Sequence, residues 1–123
     1  MNLVDSSGWL EYLSDGPNAS SFEKPLTNIE NLIVPTLCLY EVFKVALRER
    51  GETDALQAAA LMSQGQIVEL TAEIALEAAK LSLEQKLPIA DSIVLATGLK
   101  CDATIWTQDD DFKEIKGVNF IPK

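Results

Sequence analysis

The chain has 123 residues, 47% of them apolar and 24% charged, a composition that buries a core and is neither disordered nor collagen-like. Lys and Arg number 10 against 19 Asp and Glu, a net charge of −9, so the surface has no general attraction for nucleic acid or anionic membrane, and any such partner needs a local site. Histidine is absent, which excludes a Ser-His-Asp triad, a Cys-His pair, an imidazole base and a His-ligated zinc.

In chain order, Asn2 to Val4 reads as a short strand, ended by the N-cap cluster Asp5-Ser6-Ser7-Gly8. Trp9, Leu10, Tyr12 and Leu13 supply the apolar face of a helix that stops at Asp15-Gly16-Pro17-Asn18. Ser20 to Asn28 is ambiguous, because Pro25 interrupts a helix there. Leu32-Ile33-Val34 is a buried-type strand closed by Pro35. Thr36 is the expected N-cap of a helix to Arg50, with Arg48 and Arg50 suiting its C-terminal dipole and Gly51 its stop. An Ala-rich helix follows from Asp54 to Met62, then a strand over Gln66 to Leu70. Thr71 caps a helix to about Lys86, and Ala90 to Leu99 forms another that is strongly apolar. Ala103 to Thr107 is a strand, followed by an acidic turn at Gln108-Asp109-Asp110-Asp111-Phe112, and Asn119 to Ile121 is the last strand.

Strands that alternate with helices predict an α/β fold, three-layered, with a mostly parallel sheet flanked by helices, and a single domain over residues 1–123. Cys38 and Cys101 match no zinc or CxxC spacing and are expected to be buried free thiols. Neither a signal peptide nor an apolar run long enough to span a bilayer is legible, so a cytoplasmic protein without a membrane partner is expected.

The glycines form no GxGxxG or P-loop, and no GxSxG elbow is present. The acids remain. Asp5 and Asp109 each follow a strand, and ligands of parallel sheets collect beyond the carboxyl ends of strands. Asp91 opens an apolar helix, and Glu41 lies within the helix that starts at Thr36. Each also has an ordinary reading. Asp5 makes a good N-cap, Asp91 suits a helix dipole, and Glu41, Lys44 and Arg48 make a solvated stripe with an ion pair. Together they point elsewhere, since carboxylates that converge repel one another and call for a hard cation such as Mg²⁺ or Mn²⁺. Such a site supports phosphoryl displacement without histidine.

Asn2-Leu3-Val4-Asp5-Ser6-Ser7, Glu41 on its helix, Leu87-Pro88-Ile89-Ala90-Asp91-Ser92-Ile93-Val94-Leu95-Ala96-Thr97 and Ile105-Trp106-Thr107-Gln108-Asp109-Asp110-Asp111-Phe112 resemble the PIN-domain family, and more narrowly its VapC toxins. The resemblance spans nearly the whole chain. It implies a Mg²⁺- or Mn²⁺-dependent endoribonuclease that leaves a 5′-phosphate and a 3′-hydroxyl on tRNA or ribosomal RNA. Its four-acid catalytic site maps onto Asp5, Glu41, Asp91 and Asp109, with Asp111 as a further acid at the edge. Asp5, Asp91, Asp109 and Asp111 would be the metal ligands, directly or through water, and Glu41 would bind a second metal or orient the attacking water. Ser6 and Thr107 match supporting hydroxyls. The acid triplet leaves open how Asp109, Asp110 and Asp111 divide the fourth position.

A cognate antitoxin and a homodimer are the further partners implied. Lys44, Arg48, Arg50, Lys113 and Lys116 are the groups available to hold RNA phosphates, although as helix-end and surface cations they have an ordinary reading as well. Other classes remain: an inactive PIN scaffold, a metal-binding signalling domain, or a small-substrate phosphatase. A receiver-like domain wants an Asp after a central strand, where Pro35 and Thr71 stand, and the phosphatase start DxDx[TV] is missing.

Overall fold

The computed structural model describes all residues from Met1 to Lys123. Five strands, β1 (Asn2–Val4), β2 (Leu32–Pro35), β3 (Gln66–Val68), β4 (Thr104–Thr107) and β5 (Val118–Phe120), form one sheet in the order β3-β2-β1-β4-β5. Every pairing is parallel. All four residues of β2 are buried. Successive side chains point to opposite faces, so burial at every position means that both faces of the sheet are covered. The α/β expectation therefore holds, with a sheet that is wholly parallel.

Six helices do the covering: α1 (Ser6–Leu13), α2 (Ala19–Thr27), α3 (Thr36–Arg50), α4 (Glu52–Met62), α5 (Ala72–Gln85) and α6 (Ile89–Lys100). α3 packs on α4, α5 on α6, and α1 on both α2 and α3. The core is one continuous cluster of 21 buried residues, with Leu3, Val4, Ile33, Val34 and Ile105 from the sheet and Trp9, Phe22, Val42, Met62, Ile74, Val94 and Phe112 from around it. No helix is long and apolar enough to cross a membrane.

Several local expectations are corrected. Pro25 does not break the chain's second helix: α2 runs through it, because Phe22, Pro25 and Leu26 are all buried on one side. The Thr27 hydroxyl returns a hydrogen bond to the Glu23 carbonyl at 2.8 Å, which satisfies part of the last turn. Packing outweighs the lost amide. The N-cap of α3 is Pro35, extended at φ −61° and ψ 141°, with Thr36 as the first helical residue. Pro35 is also the last residue of β2, in register with Val68. β3 ends at Val68, short of Leu70, which is exposed. Cys38 is buried as expected, whereas Cys101 is only partly so. Thr71 caps α5 as expected, accepting from the Ile74 amide at 3.2 Å.

The chain builds outward from β1 to β2 and β3 on one side, then crosses to β4 and β5 on the other. The order therefore reverses between β1 and β4, and at such a switch point loops diverge and leave a crevice at the carboxyl edge. α6 leads into the start of β4, so the first turn of α6 lies near the end of β4. The fit between them is tight. A Cβ on Gly98 would stand 2.7 Å from Ile105 Cδ1.

Candidate active site

Asp5 follows β1, and its amide donates to the Trp106 carbonyl at 3.1 Å, which extends the β1–β4 ladder by one step. Its side chain is 5% exposed and accepts at both oxygens. Oδ1 takes the Ser7 hydroxyl at 2.6 Å and the Gly8 amide at 3.1 Å, and Oδ2 takes the Thr107 hydroxyl at 2.7 Å. The capping and site readings of Asp5 are thus not exclusive: it is the N-cap of α1 and it faces the crevice. Burial pushes its carboxyl above the usual range, opposed by the hydrogen bonds from Ser7, Thr107 and Gly8 and assisted by the charge of Asp109.

Asp91, Asp109 and Asp111 each present one carboxylate oxygen, and the three atoms lie within 4.8 Å of one another. Asp91 comes from the first turn of α6. Asp109 caps the 3₁₀ turn Asp110–Phe112, accepting from the Asp111 amide at 2.9 Å, and the buried Phe112 pins that turn to the core. Asp110 is exposed and outside the trio. The Asp91 carboxyl is raised to about 7, first by burial, then by the charge of Asp109, a hydrogen bond and charge from Asp111, and the charge of Asp5. Asp5 acts on the trio through its field and lies beside it.

The ion pairs in the molecule are Lys80–Glu77 and Lys100–Glu73, so none of these site acids is neutralised by a basic side chain. Crowded oxygen donors without a cationic partner, two of them with carboxyls raised by crowding and burial, are the donor set of a hard divalent ion. The residues present fit such an ion.

Glu41 sits in α3, and its Oε1 accepts the Ser6 hydroxyl at 2.6 Å. The expected Glu41–Lys44 ion pair does not form. Lys44 instead lies over the Tyr40 ring, 5.7 Å from its centroid, where the ring face attracts the ammonium. Lys44, Arg48, Arg50, Lys113 and Lys116 are all exposed. Beneath this region, burial pushes the Cys38 thiol well above its ordinary range, so it is an inert neighbour of Ser6.

Two residues escape the sequence reading. Ser7 donates to Asp5 and accepts from the Gln108 amide at 3.3 Å, so it ties the end of β1 to the chain beyond β4. Thr107 does the same through the Asp109 amide, at 3.0 Å. The signal for Ser7 was its adjacency to Ser6 in a cap cluster, which does not tell which hydroxyl turns inward. The second missed residue, Gln108, is 7% exposed and follows Thr107 directly.

No curated protein matches this sequence. Among solved structures, a toxin–antitoxin complex from Klebsiella pneumoniae aligns with TM-score 0.82 and 23% identity over 97% of this chain and 96% of that one. VapC20 of Mycobacterium tuberculosis, a sarcin–ricin-loop-cleaving toxin, aligns at 0.78 and 17% over 100% of both chains. VapBC2 of Rickettsia felis, bound to a DNA fragment from its promoter, aligns at 0.74 and 16% over 98% and 97%. Likeness at that identity establishes a shared fold. The family assignment comes from the PIN domain model, which matches residues 3–118. With Asp5, Asp91, Asp109 and Asp111 close together at one edge of a parallel sheet and that match over almost its whole length, the chain belongs to the PIN domain family.

Proposed function

We propose that this chain is a Mg²⁺- or Mn²⁺-dependent endoribonuclease that works as the toxin of a toxin–antitoxin pair. The observation that carries the reading is the convergence of Asp91, Asp109 and Asp111 within 4.8 Å, beside buried Asp5 and without a basic partner. Asp91, Asp109 and Asp111 would hold the ion, with Asp5 as a ligand directly or through water. When bound, the ion would supply Lewis acidity and charge neutralisation for an in-line displacement at phosphorus.

The protein's own groups do the rest. Glu41 keeps one oxygen on Ser6 and leaves Oε2 to orient and deprotonate the attacking water. Asp5 is kept from turning by three donors, so its charge stays aimed at the crevice. Lys113 and Lys116, just past the acid turn, and Lys44 and Arg48 on α3 would hold flanking phosphates. Attack by water with loss of the 3′-oxygen would leave a 5′-phosphate and a 3′-hydroxyl.

Partners follow from the surface. The net charge of −9 suits a basic antitoxin segment. A groove of about 490 Å³ between α1, α3 and α4, lined by Leu10, Leu13, Val45 and Leu61 together with Glu49, Arg50 and Asp54, would take apolar side chains of such a segment. Exposed Tyr40 and Leu47 on α3 supply apolar surface for a homodimer. Two of the similar solved structures, those from Klebsiella pneumoniae and Rickettsia felis, are toxin–antitoxin complexes, which supports this setting in a cytoplasmic protein.

The test is incubation of purified chain with total tRNA and ribosomal RNA in Mg²⁺, in Mn²⁺ and in EDTA, with Asp91→Asn alongside. Discrete fragments that need metal and disappear with Asp91→Asn are expected. Absence of cleavage by folded, antitoxin-free protein in either metal would move the assignment to an inactive scaffold.

A further inference from the structure

We propose that Gln108 is a positioning residue for the acid site: its side-chain amide, clamped by Glu11 and Asn18, fixes the backbone that carries Asp109 and Asp111. The inference rests on the metal-site reading above.

Gln108 lies between Thr107, the last residue of β4, and Asp109, and it is 7% exposed. A primary amide buried there is costly unless its polar ends are matched. Both are. Gln108 Nε2 donates to Glu11 Oε1 at 3.4 Å, and its Oε1 accepts from Asn18 Nδ2 at 3.0 Å. The orientation follows from chemistry, because a carboxylate only accepts and the amide nitrogen must therefore face Glu11.

Asn18 is committed on its other side too. It donates a second Nδ2 hydrogen to the Pro122 carbonyl at 3.1 Å, and its backbone amide donates to Glu11 Oε2 at 2.7 Å. Glu11, Asn18 and Gln108 thus close a ring that joins the end of α1, the turn into α2 and the last residues of the chain. Glu11 is itself seated against Gly16, where a Cβ would stand 2.5 Å from its carboxylate. On the crevice side, the Gln108 amide donates to Ser7 Oγ. The residue is gripped from behind by its side chain and from in front by its backbone.

What needs gripping is the acid turn. Asp109 and Asp111 stand within 4.8 Å of Asp91, and like charges at that range push the turn away from α6. Asp111 is exposed, and its contact outside the turn is the hydrogen bond with Asp91, which holds only while one of the two carboxyls keeps a proton. Phe112 anchors the far end of the turn and Gln108 the near end. Removing the near anchor lets the carboxylates spread when no ion is bound, and an ion must then gather them again at a cost in affinity.

Four metal-free proteins test this by Mn²⁺ titration calorimetry, at a temperature where circular dichroism finds each of them folded: wild type, Gln108→Met, Gly16→Ala and the double variant. Gln108→Met keeps length and removes both polar ends. Gly16→Ala displaces only the tip of the flexible Glu11 side chain, and it decides the matter if Gln108→Met does not fold. Mn²⁺ affinity is expected to fall ~5–20-fold in Gln108→Met and in the same direction in Gly16→Ala. The double variant should be no weaker than Gln108→Met alone, as for two changes that break one clamp. Affinities within about twofold of wild type in the folded variants, or losses that simply add, would overturn the inference. Wild type that binds no Mn²⁺ would remove the metal-site reading and this inference together, whereas wild-type binding with unaltered variants removes this inference alone.

Discussion

Asp5→Asn separates the charge of the buried acid from its shape. Asn occupies the same volume and caps a helix as well as Asp does. Its Oδ1 continues to accept from Ser7 and from the Gly8 amide. On the other branch the new Nδ2 must donate where Asp5 Oδ2 accepted from Thr107. Thr107 Oγ1 already accepts from the Asp109 amide and has a second lone pair for this, and its own proton can turn to Ser7 Oγ, 3.3 Å away. No polar atom is orphaned, and the cost of burying a carboxylate near Asp109 disappears.

Metal-free Asp5→Asn should therefore match or exceed wild-type stability to within about 1 kcal/mol. Asp5→Ala should lose ~2–4 kcal/mol, because it removes the cap and leaves Thr107, Ser7 and the Gly8 amide short of an acceptor. The pH dependence carries a sign. Burial raises the folded-state carboxyl of Asp5, so over the interval between its unfolded and folded values the folded chain holds a proton that the unfolded chain has released. Wild-type stability falls as pH rises through that interval, and the advantage of Asp5→Asn grows toward neutral pH. The assay is urea unfolding in EDTA at about pH 4 and about pH 8, paired with metal-dependent cleavage, which should drop at least ~100-fold. An Asn variant more than about 2 kcal/mol less stable than wild type at neutral pH would refute the reasoning, since the charge itself would then be holding β1 to β4.

Asp91 gives a second pH effect of the same sign. Its carboxyl is raised from the ordinary 3.8 to about 7, so metal-free stability should decline across that window by ~4 kcal/mol if unscreened and about 2 once solvent at the half-buried site is allowed for. Asp91→Asn should flatten that stretch of the thermal-unfolding profile in chelator; an unchanged slope would place the titration elsewhere. Gly8→Ala should cost ~2–3 kcal/mol in denaturant unfolding, because its Cβ would stand 2.6 Å from Val4 Cγ1 and 2.7 Å from the Phe22 ring, both fully buried. Reversing Lys113 and Lys116 to Glu should slow RNA cleavage about tenfold and flatten its salt dependence while Mn²⁺ affinity stays put; unchanged cleavage would remove both from the RNA path.

Most of the element order was legible because each signal was local. Thr71 before Ala72 is an N-cap wherever it sits, and a run such as Leu32-Ile33-Val34 is apolar enough to need burial on both faces. The errors came where tertiary contacts overrule local preference. Pro25 stays in a helix because Phe22 and Leu26 on the same face are worth more than one missing amide bond. Thr36 has a hydroxyl fit for capping, yet β2 continues through Pro35, so the helix begins one residue earlier. The acids were legible as candidates by type and by position after strands. Which of the triplet faces Asp91 was not, since that depends on a 3₁₀ turn pinned by Phe112. The clamp on Gln108 was out of reach for the same reason: its partners are 90 and 97 positions away.

The structure also dissolves an opposition on which the sequence reading turned, that between an acid as helix cap and an acid as site. Asp5 can face a crevice of other acids because capping holds it there. The Gly8 amide and the Ser7 hydroxyl, at the start of α1, donate to a carboxylate whose charge would otherwise drive it toward solvent, and the Thr107 hydroxyl binds the same group to the strand that leads to Asp109. Histidine is absent, so on the proposed reading the site would work through carboxylates whose repulsion is held in check. Asp91, Asp109 and Asp111 crowd on a frame set by β1, β4 and α6, which raises the Asp91 carboxyl to about 7, and a cation bound there as proposed would displace that proton and offset the repulsion. Caps, hydroxyls and the glycine-tight seat of α6 on β4 are therefore part of the site's chemistry, because each of them resists the relaxation that would let the carboxylates part.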